Sequence, residues 1–321
     1  MSAPPSEIID LAERRQAARE ARDFELADQL RDQISSAGWI LADTPAGFAL
    51  SVKPPFKVHP TLADVLMDPG YIIDANDPTA VSHGGCGVGI IVDGWRTDVR
   101  TCLTALLEFA PAQVQIIVLD LGNVDEAGLV AHEIGMEYQD RVRVIHVAQT
   151  LEQVGWGRAT GALIELDPAA AHVVMDLSSV LTGDAITPLL AALHEPGVIA
   201  AGWKGTNVDV SDWRSVVDAG PGEVDVLLGY LMVVDRTAAL ATPPNPKAKF
   251  YRNGDLEWSL LLRAAGGRLV VPADHLPVEQ GRHHGYHDSD PELRSRESKK
   301  NYDRLLQQFR GRVDILAPRS S

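Results

Sequence analysis

The sequence predicts an α/β protein: a mostly parallel sheet with helices on both faces, preceded by a small α-helical hairpin. Three observations lead there. From Val88 onward, short apolar runs alternate with amphipathic segments, the rhythm of βαβ units. The first fifty residues are instead charge-rich and Ala-rich, with apolar residues at helical spacing. The chain has 321 residues, 45% hydrophobic and 23% charged, enough for one large α/β domain with appendages.

The elements follow in order. In "SEIIDLAERRQAAREARDFELADQLRDQISSAG", Phe24, Ala27, Leu30 and Ile34 line one face, Asp23 is a candidate N-cap and Gly38 lies just past the end. A break near Arg22-Asp23 divides this stretch into two helices. "WILADTPAGFALSV" then places a Thr-Pro-Ala-Gly turn between two alternating runs, a β-hairpin pattern. The Pro-, Asp- and Gly-rich residues 51–86 read as a linker with one short helix over Thr61–Met67. "HGGCGVG" lacks the Lys-Ser/Thr of a phosphate loop and reads as a flexible entry into the first strand. "VGIIVD", "DVRTCLTALLEFA", "VQIIVLD", "EAGLVAHEIGMEY" and "RVRVIHV" follow as strand, helix, strand, helix, strand. The expected boundaries are a hairpin domain over 1–50, a linker over 51–86, the α/β domain over 87–288, and a basic helix and tail over 289–321.

The formal net charge of −15 argues against nucleic acid or an anionic membrane as the partner. Cys86 and Cys102 have no metal-ligand spacing, and two cysteines in this length suit a reducing compartment. "MSAPPSEIIDLAERR" has no apolar signal core, and no run approaches the ~18 apolar residues of a membrane span. The expected location is the cytoplasm.

In open α/β sheets, ligands sit beyond the C-terminal ends of the strands. Three strands end in an acid: Asp93 after "VGIIV", Asp120 after "VQIIVL" and Asp176 after "AHVVM". One such Asp alone is readily explained as a cap for the turn or helix that follows. Three at one sheet edge point to a ligand site.

Two segments carry resemblances. "AREARDFELADQLRDQISSAGWILADTPAGFAL" resembles the C-terminal tail of cysteinyl-tRNA synthetases, and its "DFELADQLRDQI" part resembles the UVR hairpin of excision-repair proteins. Both are accessory modules, which implies docking of a protein partner or a second copy through residues 1–50; a hairpin packed on its own chain is the alternative. Residues 88–275 resemble the inverting glycosyltransferases of family 2, which have the GT-A fold. The resemblance rests on "VQIIVLDLGNVDEAG", "GWGRATGALIELDPAAAHVVMDLSSVL" and "YRNGDLEWSLLLRAAGGRLVVPADH", in the family's order and spacing.

That resemblance implies a nucleotide-sugar donor, such as a UDP-sugar, and a divalent cation, Mn or Mg. Asp120, with Asp93 nearby, takes the position that contacts the base. Arg158, opening a helix, faces the diphosphate. Asp176 stands at the first acid of the Asp-x-Asp motif, whereas Ser178 replaces the second, a poor exchange for a hard cation. The general base maps to Asp255; Gly254 replaces the Glu that normally precedes it, and Glu257 is the next acid on the same helix. In "EQGRHHGYHD", Arg282 joins the diphosphate site, and His283 or His284 is a candidate to compensate for Ser178 as a metal ligand. Arg294, Arg296 and Lys299 on the last helix are candidates to close over the diphosphate; a packed, solvated helix is the alternative, and the one favoured for most of its charges. Trp203, Lys204 and Trp258 are candidates for a sugar platform.

The expected function is sugar transfer to an acceptor hydroxyl with inversion. The alternatives are a catalytically degenerate nucleotide-binding scaffold and a synthetase-associated protein. A nucleotidyltransferase is opposed by the lack of a Gly-rich loop followed by Lys.

Overall fold

The computed structural model describes residues 4–44, 47–71, 85–272 and 275–319. The chain folds as two compact units, residues 1–57 and 58–321.

The first unit holds α1 (Ser6–Glu20), α2 (Phe24–Ser36), β1 (Trp39–Thr44) and β2 (Gly47–Val52). Arg22 turns the chain in the left-handed region, φ 60°, and the Asp23 carboxylate accepts the Leu26 N–H at 3.1 Å, so the helix break falls at the expected place. Ala27, Leu30 and Ile34 are buried, but Phe24 in the first turn is 61% exposed and does not belong to the apolar stripe. β1 and β2 pair antiparallel from Trp39↔Val52 to Thr44↔Gly47; Pro45 and Ala46 of the expected turn lie outside the described residues.

The second unit begins earlier than the sequence suggests. β3 (Val58–His59) joins the main sheet, and α3 (Leu62–Met67) carries a complete capping box between Thr61 and Asp64, so the expected linker contributes ordered structure. Residues 72–84, including His83 and Gly84 of "HGGCGVG", lie outside the described residues. Next come β4 (Cys86–Val92), α4 (Arg96–Phe109), β5 (Gln115–Leu121), α5 (Ala127–Glu137), β6 (Val142–Val147), α6 (Leu151–Val154), α7 (Trp156–Leu166) and β7 (Ala171–Met175). β8 (Ser179–Leu181), α8 (Ile186–Ala192), β9 (Val198–Gly202), β10 (Gly205–Val208), β11 (Val216–Ala219), β12 (Gly222–Glu223), β13 (Val226–Leu227) and β14 (Leu231–Asp235) follow. The chain ends with α9 (Arg236–Ala241), α10 (Gly254–Ala264), β15 (Arg268–Val271), β16 (Val278–Gln280), α11 (His284–His287) and α12 (Pro291–Phe309).

Nine strands form the central sheet in the order β12-β15-β9-β14-β7-β4-β5-β6-β3. The run β7-β4-β5-β6-β3 is parallel; β14 enters antiparallel between β7 and β9. Central parallel strands are buried on both faces, which is why β4 and β5 read as continuous apolar runs. Val88, Ile90 and Val92 point to a core with α4, α5 and α8, while Gly89 and Ile91 point to α7. Among the described residues no helix is long and apolar enough to cross a membrane.

The glycines of β4 have a packing reason. A Cβ at Gly87 would lie 2.2 Å from Asp167 Oδ2, and one at Gly89 would lie 2.7 Å from His172 Nε2. The two positions admit a fully buried Asp167–His172 pair rather than flexibility. Gly87→Ala is therefore expected to destabilise the fold by roughly 1–3 kcal/mol, through overpacking against a side chain with nowhere to go. Urea unfolding followed by circular dichroism measures it.

Candidate functional site

One cavity of about 210 Å³ collects acids, histidines and aromatic rings at the C-terminal edge of β4 and β7. Its floor follows strand alternation. On β4 it is Gly89, Ile91 and, just past the strand, Asp93; on β7 it is His172, Val174 and Asp176. Trp156, Thr160 and Leu163 of α7 form the roof, with helical spacing on one face. The segment ending in Arg282, His283 and His284 closes one side, and Lys249 and Tyr251 line the other.

Asp176 Oδ1 accepts the Ser178 N–H at 2.8 Å and the Ser178 hydroxyl. Ser178 Oγ in turn accepts from Gln280 Nε2 at 2.8 Å, and Gln280 Oε1 accepts from Lys204 Nζ at 3.0 Å. Ser178 is therefore hydrogen-bonded both ways, with neighbours from two other strands. Asp176 Oδ2 lies 3.4 Å from His283 Nε2. Burial, reinforced by the Asp176 charge, pushes Asp93 up to about 7.

Asp93, Asp176, Ser178, Arg282, His283 and His284 thus come together at the cavity, and the surroundings of the candidate residues are as follows. Asp120 is buried with its carboxylate 2.8 Å from His146 Nδ1, under the start of α5, where a Cβ at Gly128 would meet it at 2.1 Å; it does not line the cavity. Arg158 lies on the outer face of α7, 3.4 Å from Glu165, and does not line the cavity either. Glu257 is fully buried in a two-point pair with Arg304 (2.8 and 3.2 Å) and accepts from Asn245 Nδ2 at 2.7 Å, which makes it a structural anchor. His283 Nδ1 accepts the Tyr286 N–H at 3.2 Å, and its Nε2 faces Asp176 Oδ2 at 3.4 Å. Both nitrogens of His284 face carboxylates, Nδ1 to Asp288 at 2.5 Å and Nε2 to Asp98 at 3.2 Å, while the ring stacks on Trp95. Trp258 is wholly buried, donating Nε1–H to Thr242 O at 2.7 Å, and is core. Trp203 and Lys204 do meet, with Nζ 4.1 Å from the ring centroid, and line a second cavity with Tyr230.

On the last helix, Arg296 pairs with Glu297, Lys299 with Asp303, and Arg294 donates to Tyr286 O, so none of the three reaches the cavity. Arg282 lines it but is held by Asp288 at 2.6 and 3.0 Å. Lys249 was not singled out by the sequence; its Nζ donates to Gln153 O and Val154 O at the end of α6, and nothing in the Pro-rich stretch "PPNPKAK" sets it apart from Lys247.

Asp255 stands one residue layer behind the cavity wall. Its Oδ2 accepts the N–H of Gly229, a lining residue, at 3.2 Å, and its Oδ1 accepts the Leu256 N–H at 2.9 Å. Burial raises it to about 6, against those two N–H groups and Arg252, which favour the carboxylate.

Among the described residues no group of three or more His, Cys, Asp or Glu side chains is arranged to hold a metal ion. What the cavity offers is Asp176 Oδ2, partly exposed, next to Asp93. That donor set fits a cation that brings oxygen ligands with it, as Mg²⁺-like ions do with substrate phosphates, and not a resident all-protein cage.

Comparison with known proteins gives the fold. The fold is the GT-A fold of glycosyltransferases. GalNAc-T7, solved with UDP, GalNAc and Mn²⁺, superposes with TM-score 0.56 at 14% identity, over 69% of this chain and 47% of that one. The mannosyltransferase PcManGT from Pyrobaculum calidifontis, solved with GDP-Man and Mn²⁺, gives 0.55 at 14% identity, over 79% and 74%. In sequence, the chain is 30% identical over 132 residues to the polyprenol monophosphomannose synthase of Mycolicibacterium smegmatis, covering 37% of this chain and half of that protein. The N-terminal segment is 48% identical over 46 residues to the cysteine–tRNA ligase of Opitutus terrae, 14% of this chain and a tenth of that enzyme. No protein-family model matches.

The raised Asp93 gives a pH prediction. Its carboxyl ionises near pH 7, adding negative charge beside any bound diphosphate. In metal-free buffer, nucleoside diphosphate affinity is expected to fall between pH 6 and 8, and Asp93→Asn should flatten that slope. Isothermal titration at three pH values checks it.

Proposed function

We propose that the protein transfers a sugar from a nucleotide-diphosphate donor to an acceptor hydroxyl with inversion of the anomeric centre. The observation that carries this reading is Asp255: a buried carboxylate with a raised pKa at the start of α10, fixed by two backbone N–H groups behind Gly229. Its ionised form takes the acceptor proton. The acceptor oxygen attacks the anomeric carbon as the bond to the diphosphate oxygen breaks, and the nucleoside diphosphate leaves with that electron pair. Ser178 keeps Asp176 oriented through its N–H and hydroxyl, His283 lies beside it, and Lys249 adds positive charge on the opposite wall. A divalent cation, like the Mn²⁺ with which both structural neighbours were solved, would be held by Asp176 and the donor phosphates and would offset charge on the leaving group. The first unit, matching a short piece of cysteine–tRNA ligases, is a docking module for a protein partner or a second copy. Buried free Cys86 and Cys102 suit a reducing cytoplasm.

A second reading, nucleotide binding without turnover, draws on Ser178, whose hydroxyl is already engaged by Asp176 and Gln280. A thermal-shift panel of nucleoside diphosphates with and without Mn²⁺, followed by donor-sugar hydrolysis, separates the two. Stabilisation with Asp255-dependent hydrolysis supports transfer. Stabilisation without hydrolysis supports the scaffold, and no stabilisation by any nucleotide overturns both.

A further inference from the structure

The second cavity, about 650 Å³, has the size of a small-molecule site, and the reading above makes no use of it. Trp203, Leu228 and Tyr230 line it, together with the ionisable groups of Lys204, Asp218 and His275. Lys204 Nζ lies 4.1 Å from the Trp203 ring centroid and 5.3 Å from that of Tyr230, a cation set against two aromatic faces. An ammonium has three N–H groups to give. Gln280 Oε1 takes one at 3.0 Å, and among the described residues no other group accepts from Lys204 or forms an ion pair with it. Burial pulls the ammonium down from its ordinary lysine value, while Asp218 supports the charge without bonding to it. A half-buried cation with two donors to spare, facing a cavity of this size, suits an anion brought by a ligand.

The same lysine reaches the first cavity through one side chain. Gln280 lines neither cavity, yet it bonds to Lys204 in the second and, through Nε2 at 2.8 Å, to Ser178 Oγ in the first. Strand pairing fixes that contact, because β16 and β8 run antiparallel with Gln280 opposite Ser179. Ser178 then gives its hydroxyl to Asp176 Oδ1. An anion that takes N–H groups from Lys204 competes with Gln280 for them and loosens its bond to Ser178. Ser178, no longer accepting from Gln280, becomes a weaker donor to Asp176, whose Oδ1 keeps more negative charge for a cation. Two anions repel each other through space, so coupling through these side chains has the opposite sign and can be told from it.

We infer that the second cavity binds a small phosphate- or carboxylate-bearing molecule at Lys204, and that its occupancy tightens nucleotide and cation binding in the first cavity through Gln280 and Ser178. The coupling rests on the nucleotide-donor reading above and adds a ligand that controls it; the anion site does not depend on that reading.

Glucose 6-phosphate and glucuronate carry the two kinds of anion on one skeleton, and glucose is the neutral control. In isothermal titration of the full chain, both anions should bind about tenfold or more tightly than glucose, and Lys204→Met should remove that advantage. With either anion present, UDP or GDP with Mn²⁺ should bind about fivefold more tightly, and by linkage the nucleotide should tighten the anion by the same factor. Gln280→Met should leave each ligand's affinity alone within about twofold and abolish the tightening. Anions that bind no better than glucose, or whose binding survives Lys204→Met, overturn the site. Absence of tightening in the wild type, or tightening that survives Gln280→Met, overturns the coupling. Lys204-dependent anion binding with no binding of either nucleotide overturns the donor reading and the coupling with it, while the anion site stands. Supplying UDP-glucose or GDP-mannose separates the two sources of the anion: one converted to a larger glycoside is the acceptor, and one recovered unchanged is an effector.

Discussion

Asp255→Asn is expected to lower sugar transfer by about a hundredfold or more, the usual contribution of a positioned general base, while donor affinity stays within about twofold. Steady-state rates and titration with the nucleoside diphosphate measure the two effects separately. The wild-type rate should rise with pH through about 6 and then level, because only the ionised carboxylate accepts the acceptor proton. The same substitution should stabilise the protein. Burial raises Asp255 from its ordinary value of 3.8 to about 6, so the folded state holds this proton more tightly than the unfolded chain. Its contribution is fully present below pH 3.8 and is lost as pH rises to about 6. At pH 8 the ionised group costs the fold up to about 3 kcal/mol that a neutral Asn avoids. A melting temperature that rises at pH 8 but not at pH 4 is the expected pattern.

Arg304→Ala is expected to cost roughly 3–5 kcal/mol, the effect of stranding a buried charge. The stranded group is Glu257, which is fully buried and joins α10 to α12 through Arg304. Denaturant unfolding gives the magnitude. The double variant Glu257→Gln, Arg304→Met should recover a large part of it, because neither side then carries an unpaired charge. Transfer per folded molecule should change only a few-fold, as suits an acid that anchors a helix next to the base without touching substrate.

How much of this was legible in the sequence depended on whether the deciding neighbour was local. Asp93 and Asp176 were legible because a strand-end acid after an apolar run is set by alternation alone. Asp120 occupies an equivalent position, yet its carboxylate turns aside to His146 on the next strand, a pairing made across β5 and β6. Arg158 was misplaced by half a helical turn of α7, since the first residue of that helix lies after a left-handed Gly155. The histidines fell in the right segment, but what each nitrogen faces depends on α4 and α11 meeting in space. "HGGCGVG" looked like a loop because the reason for Gly87 and Gly89 lies some eighty residues later, at Asp167 and His172. Asp255 was singled out only through a resemblance, and its raised pKa depends on the tertiary burial that only the fold supplies.

The bonds running from Lys204 through Gln280 and Ser178 to Asp176 all point one way, each group donating to the next. An ammonium only donates and an ionised carboxylate only accepts, so the two ends fix the direction of everything between them. Gln280 has no freedom to flip its amide without setting its NH₂ group against the ammonium. Aligned donors polarise one another, and the chain leads from a cation in the second cavity to an anion in the first. Ser178 is the middle of a polarised wire: a carboxylate there would accept from Gln280 but have no proton to pass to Asp176, which would keep only the backbone N–H of residue 178.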